Sequence, residues 1–175
     1  MAAAAGNLPR ADPQPVSTGT LSLSVAPGAE LRPAAESDCA ALAALARSAH
    51  SHPWTERQYL DSIHAGHQCW LLTMPDGTAV ACCVLMPLPD VFEVLDVAVS
   101  PQWRRRGIAR ALLKAIFERL PGSAETVLLE VRTGNTGARA LYRSLGFRED
   151  GLRRNYYPAA NGAREDAVLM SLPLR

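Results

Sequence analysis

The sequence predicts an α/β fold, a mixed sheet covered by helices on both faces. Three observations carry that reading. Four segments repeat apolar residues at helical spacing. The segments between them are short apolar or β-branched runs, bounded by Pro, Gly and Asp. The two kinds alternate in the order β-α-α-β-β-β-α-β-α-β-β. With 175 residues the chain can hold one domain with a substantial core, and is too short for two ordinary ones.

Residues 1–27 are rich in Ala, Pro, Ser and Gly and have no periodicity, so they read as a flexible tail preceding a domain over 28–175. "AELRPA" is a short first strand ending at Pro33, which cannot donate to a ladder. "ESDCAALAALARSAH" is a helix. Ala41, Leu42, Leu45 and Ala49 share a face, and Ser37 or Asp38 can cap it. "HPWTERQYLDSIHAG" is a second helix, with Thr55 as N-cap and Gly66 ending it.

The period then changes. "QCWLLTM", the turn "PDG" and "TAVACCVLMPL" read as strand, turn and strand. "FEVLDVAVS" is another strand, interrupted by Glu93 and Asp96 and ended by Pro101. "RGIARALLKAIFERL" is an amphipathic helix with Ile108, Ala111, Leu112, Ala115 and Ile116 on one face and Pro121–Gly122 as its stop. "TVLLEV" has the continuous apolar character of a buried strand, broken by Glu130. "NTGARALYRSLGF" is a helix with Asn135 at its N-cap. Ala138, Leu141, Tyr142 and Leu145 lie inside and Gly146 closes it. "REDGLRRNYYP" and "REDAVLMSLPL" give two final strands.

Composition narrows the function classes. Lys+Arg is 18 against 17 Asp+Glu, a formal net charge of +1, without the basic footprint of a nucleic-acid binder. Apolar residues make up 48% and charged residues 20%, the balance of a soluble globular chain. No apolar run approaches the ~18–20 residues that span a bilayer, so no membrane partner is expected. The first residues lack a basic region and a long apolar region, which argues against a signal peptide. Cys39, Cys69, Cys82 and Cys83 form no CxxC, so a reducing, cytoplasmic setting without a disulfide framework is expected. The four histidines have no Cys or carboxylate around them at ligand spacing, so no metal is expected.

One corner stands out in this nearly neutral chain: Arg104, Arg105 and Arg106 against Gly107, between a strand and a helix. Glycine lets a ligand approach the backbone, and the first N–H groups of a helix are unpaired at its positive end. The corner is therefore either a phosphate site or a solvated turn. It is not a P-loop, because GxxxxGK[ST] is absent, and it lacks the second and third glycines of a dinucleotide fingerprint.

Arg104-Arg105-Arg106-Gly107-Ile108-Ala109 resembles the coenzyme-A pyrophosphate motif of the GCN5-related N-acetyltransferases (GNATs). "PWTE", "LDVAVSPQWRRRGIARALL", "LLEVRTGNTGARALYRSLGF" and "LRRNYYPAANGAREDAVLMSLPL", in that order, resemble the RimI-type branch, the ribosomal-protein-alanine N-acetyltransferases. The similarity covers roughly residues 28–175. It implies the GNAT fold, a mostly antiparallel mixed sheet of six to seven strands flanked by about four helices. It also implies an N-terminal acetyltransferase moving an acetyl group from acetyl-CoA to the N-terminal alanine of a small-subunit ribosomal protein.

By the same resemblance Glu130 is the general base and Tyr142 the general acid. Val97, Ala98 and Val99 match the strand whose backbone pairs with pantetheine. Arg105, Arg106, Gly107, Ile108, Ala109 and Arg110 match the pyrophosphate loop, and Asn135 an amide that contacts the cofactor. Trp54, Tyr156 and Tyr157 would face the substrate groove. Read from the residues alone, Glu130 could instead pair with Arg132 or a neighbouring arginine, and Tyr142 could be a core tyrosine. Trp54, Tyr156 and Tyr157 could be ordinary packing. Three positions depart from the pattern: Ala109 for a second glycine, Asp96 for an asparagine, and His52 for a bulky apolar residue. A lysine or small-amine acceptor keeps the same fold. A non-catalytic module that binds coenzyme A or the ribosome is the reading of another class.

Overall fold

The computed structural model describes residues 21–174. One eight-stranded sheet runs through the molecule. Its strands are β1 (Leu21–Leu23), β2 (Ala26–Pro33), β3 (Gln68–Thr73), β4 (Ala79–Pro87), β5 (Val91–Val99), β6 (Thr126–Arg132), β7 (Arg148–Pro158) and β8 (Arg164–Pro173). They lie in the order β1-β2-β3-β4-β5-β6-β8-β7. Neighbours are antiparallel except β5 and β6, which run parallel. No helix among the described residues is long and apolar enough to cross a membrane.

Four helices cover the sheet. Helices α1 (Cys39–Ala49) and α2 (Glu56–His64) pack on one face, where Leu42, Leu45 and Tyr59 meet Leu71, Cys82 and Val84. Helices α3 (Ile108–Phe117) and α4 (Thr136–Ser144) pack on the other, where Leu112, Ile116 and Tyr142 meet Cys83, Leu85 and Leu129. Adjacent strand residues point to opposite faces, so the neighbours Cys82 and Cys83 belong to different cores. All four cysteines are buried and free.

The predicted elements are present in the predicted order, with corrections at their ends. The three-residue strand β1 is additional: without it the sheet has the expected seven strands, and with it eight. Residues 21–27 had been assigned to the tail, and the expected domain start at 28 falls inside β2. Ala26 and Ala29 are its first inward residues, too small to mark a period, and Gly28 bends the strand at φ +81°. The rest of the expected tail, residues 1–20, lies outside the described residues.

Thr55 caps α2 as expected, accepting the Gln58 N–H while the Gln58 side chain accepts the Thr55 N–H. Asp38 does not cap α1 with its side chain. Its carboxylate takes two bonds from the Arg32 guanidinium, at 2.7 and 2.9 Å, and one from the Ala35 N–H. A charged bidentate partner outcompetes a helix amide. Helix α3 ends at Phe117, ahead of Pro121.

Two local events on β5 position the site. A bulge sets Val84 opposite Asp96 but Leu85 opposite Val94, leaving Leu95 without a partner on β4. Phe92 and Val94 before it face α3, while Leu95 and Ala98 after it pack with α1 and α2. The parallel pairing with β6 runs only from Val91 opposite Thr126 to Val94 opposite Leu129. Beyond that point β5 continues to Val99, paired with β4, and β6 continues to Arg132, paired with β8. The two central strands therefore part halfway along the sheet.

Candidate active site

The arginine corner lies at the open end of that split. Arg105 has φ +61° and Gly107, the N-cap of α3, has φ +76°. Two left-handed residues in one short turn fold the backbone into a concavity of N–H groups. The first helical bond of α3 goes from the Ala111 N–H to the Gly107 carbonyl, so the N–H groups of Ile108, Ala109 and Arg110 lack intrahelical acceptors. A cleft of about 590 Å³ opens here. Val99, Arg105, Gly107, Ile108, Ala109, Arg110 and Asn135 line it, each of them expected from the sequence.

The arginines divide their work. Arg104 donates to the Val99 and Ala49 carbonyls, at 3.3 and 3.0 Å, and ties the corner to the end of α1. Arg106 does not line the cleft and stacks 4.9 Å over the ring of Trp103. Arg110 holds α3 to the end of α4 through the Ser144 carbonyl and hydroxyl, at 3.0 and 2.6 Å. Among the expected cofactor residues, Arg106, Val97 and Ala98 do not line the cleft. Arg106 prefers an aromatic face, and Ala98 is inside the α1–α2 core. The sequence reading missed Trp103, Gly137, Ala138 and Leu141 as cleft walls. Ala138 and Leu141 follow Asn135 at steps of three, a spacing that places them on one helix face.

Asn135 caps α4, its Oδ1 accepting the Ala138 N–H at 3.1 Å. Two turns on, Tyr142 drops into the core against Phe147, with ring centroids 5.6 Å apart. Burial raises its phenol above the ordinary value. The charged forms of Cys83, Asp96 and Tyr157 act in the same direction. Asp96 faces α2 across the sheet, so the ring addresses groups on both sides of the split. The core-tyrosine reading holds for its ring.

Glu130 is the first residue of β6 beyond the last paired position, Leu129. Its neighbours Leu129 and Val131 point into the α3–α4 core, so Glu130 points to the opposite face. The ion pair anticipated as its alternative exists, with Arg153 of β7 at 2.7 Å and not with Arg132. Glu93 of β5 is an electrostatic neighbour. Burial first, and then the Glu130 charge, hold the Glu93 carboxyl above its usual range, with Arg153 opposing. Tyr157 donates its hydroxyl to the Glu130 carbonyl at 3.2 Å. Desolvation pushes its phenol up to about 12.

Aromatic rings cluster on this face. Tyr156 and Tyr157 pack edge to face, with centroids 5.0 Å apart, under the guanidinium groups of Arg153 and Arg132. Trp54 is half-buried and tilted against Tyr59 in the α1–α2 core. Asp96 is buried and accepts the Tyr59 hydroxyl at 2.6 Å. The His50 Nε2 lies 3.0 Å from its other oxygen, out of hydrogen-bond alignment. The departure at position 96 thus places a carboxyl group that joins β5 to α2 through Tyr59 and lies beside His50 at the end of α1. Sequence reasoning noted Glu93 and Asp96 as interruptions but missed their contacts and the Arg153 partner of Glu130, because each partner is far along the chain.

The comparisons with known proteins bear on the family and the fold. The sequence profile of the acetyltransferase (GNAT) family matches residues 39–147. The chain is 39% identical over 127 residues to the [ribosomal protein bS18]-alanine N-acetyltransferase of Escherichia coli K12, covering 72% of this chain and 84% of that one. It is 37% identical over 109 residues to the N-alpha-acetyltransferase RimI of Mycobacterium tuberculosis, covering 60% and 68%. The crystal structure of the Escherichia coli ribosomal-protein-S18-alanine N-acetyltransferase superposes with a TM-score of 0.77 at 35% identity. That match covers 83% of this chain and 94% of that one. The chain belongs to the GNAT acetyltransferase family, and within it to the RimI type.

Proposed function

We propose that this protein is an acetyl-CoA-dependent N-terminal acetyltransferase acting on the N-terminal alanine of a small-subunit ribosomal protein. The observation that carries the reading is the parting of β5 and β6. We read it as a passage through the sheet, with the arginine corner as its anion-binding side and Glu130 at the other. The substrate class rests on the likeness to the Escherichia coli bS18-alanine enzyme.

In this reading the N–H groups at the start of α3, with Arg105, hold the pyrophosphate of acetyl-CoA. The β5 edge that β6 leaves unpaired receives the pantetheine arm as an added strand would, through the backbone of Val97, Ala98 and Val99. Asn135 meets the cofactor from the start of α4. The peptide enters from the α1–α2 side, past Tyr156 and Tyr157, with Trp54 behind the groove. Its α-ammonium has a pKa of about 7.7–8.0, so one carboxylate suffices to take its proton. Glu130 accepts that proton as the neutral amine attacks the thioester carbon. The C–N bond forms and the C–S bond breaks, and the nitrogen gives up its second proton to water. Tyr142 gives its hydroxyl proton to the departing thiolate and regains one from water.

Glu130→Gln and Tyr142→Phe are each expected to lower kcat about ten- to a thousandfold, the usual size of acid–base contributions. Both should keep acetyl-CoA affinity. Unchanged turnover in both variants would remove this mechanism and favour a binding module without catalysis.

A further inference from the structure

The peptide face and the cofactor face are joined by one ion pair that the acid–base chemistry does not use. Arg132 is the last residue of β6, and Glu165 stands near the start of β8. Their side chains meet at 3.1 Å and are each about three-quarters buried. Arg132 reaches three further places. Its Nη1 donates to the Pro158 carbonyl at the end of β7, at 2.9 Å. Its guanidinium lies 4.5 Å over the Tyr157 ring. Its Nη2 lies 3.4 Å from the His52 Nδ1 in the α1–α2 loop. One side chain thus spans both walls of the proposed groove.

Glu165 carries the connection to the other side. Its Oε1 accepts the Gly134 N–H at 2.7 Å and the Thr133 hydroxyl at 3.3 Å. These two residues lead directly into Asn135 at the start of α4. A Cβ on Gly134 would sit 2.9 Å from the same oxygen, so the turn is fitted closely around the carboxylate. The Gly134 N–H, with Arg132, holds the Glu165 carboxyl below its usual range. The pair therefore contacts the turn before the cofactor amide, both ends of the β7–β8 hairpin loop, and the loop that carries Trp54.

We infer that Arg132 and Glu165 are positioning residues that fix the walls of the peptide groove and set them in register with the cofactor cleft. Neither touches the reacting atoms. The inference rests on the acetyltransferase reading, which assigns the groove to the peptide. A lysine cannot replace Arg132: an ammonium at the Nη1 position could serve the carboxylate and the carbonyl, but it has no second arm to reach His52 and no planar face to stack on Tyr157.

Steady-state kinetics on an alanine-initiated peptide test this with Arg132→Gln, Arg132→Lys and Glu165→Gln. All three should raise the peptide KM about tenfold and leave kcat within about threefold. Arg132→Lys should stay nearer to Arg132→Gln than to the wild type. Glu165→Gln should also raise the acetyl-CoA KM about threefold, through the Asn135 turn. A peptide KM within twofold of wild type in Arg132→Gln and Glu165→Gln overturns the inference, as does a fall in kcat with KM unchanged. Wild-type turnover on the same peptide reports on the functional reading separately. Amide exchange in the free protein needs no substrate: Glu165→Gln and Arg132→Gln should speed exchange at Gly134. Unchanged exchange in both overturns the positioning role whatever the substrate proves to be.

Discussion

Glu130 was legible as a charged residue breaking an apolar strand, but its partner was not. Arg153 lies on β7, 23 positions later, and reaches Glu130 across β8, which follows both in sequence and lies between their strands in the sheet. Glu93 was noticed as an interruption, and its meaning came from the same neighbourhood. Folding favours its protonated form, because burial and the Glu130 charge both oppose ionisation. The cost of ionising it is absent below the ordinary carboxylate value of about 4.3 and grows as pH rises through the raised folded value. Glu93→Gln should therefore raise Tm by roughly 1–3 °C near pH 8 and leave it unchanged near pH 4. Thermal melts at the two pH values check this. Equal shifts at both would contradict it.

At the scale of elements, helices with a cap and a closing glycine were the most readable. Thr55 and Asn135 act as caps, and Gly66 and Gly146 take left-handed backbone after their helices. Asp38 was misread because a nearby arginine competes for it, and no local pattern reports such competition. Its bonds to Arg32 join β2 to the start of α1. The Arg32 hydrogen bonds lower the Asp38 pKa. That stability is complete above the unfolded value of about 3.9 and is lost as pH falls through the lowered folded value. Asp38→Asn should cost about 1–2 kcal/mol at pH 7, a figure discounted for the partly exposed Arg32. Urea unfolding of variant and wild type should converge at acid pH. A difference that persists unchanged into acid would mean that shape, not charge, holds the link.

For the molecule as a whole, the order of elements followed from periodicity and breakers, and the pairing of strands did not. The eight-strand order and the parting of β5 and β6 depend on register, and one bulge at Leu95 sets which face each later residue of β5 meets. A single sequence carries no direct mark of either. The short β1 escaped because three residues are too few to show a period. The site follows the same division. The arginine–glycine corner is local in sequence and was readable as physics, whereas the proposed passage from that corner to Glu130 depends on where β5 and β6 part. The resemblance to a known family supplied the roles that geometry then had to accommodate.

The central claim is that acetyl passes through the sheet to a peptide's α-amine. Mass spectrometry of peptides incubated with the protein and acetyl-CoA measures this directly, by locating the nitrogen that gains the acetyl group. Peptides beginning with Ala, Ser or Met, and one already blocked at its N-terminus with an internal Lys, form the test set. The account predicts acetyl on the α-nitrogen of the alanine-initiated peptide and none on the blocked peptide. Acetyl on the internal lysine alone would contradict it.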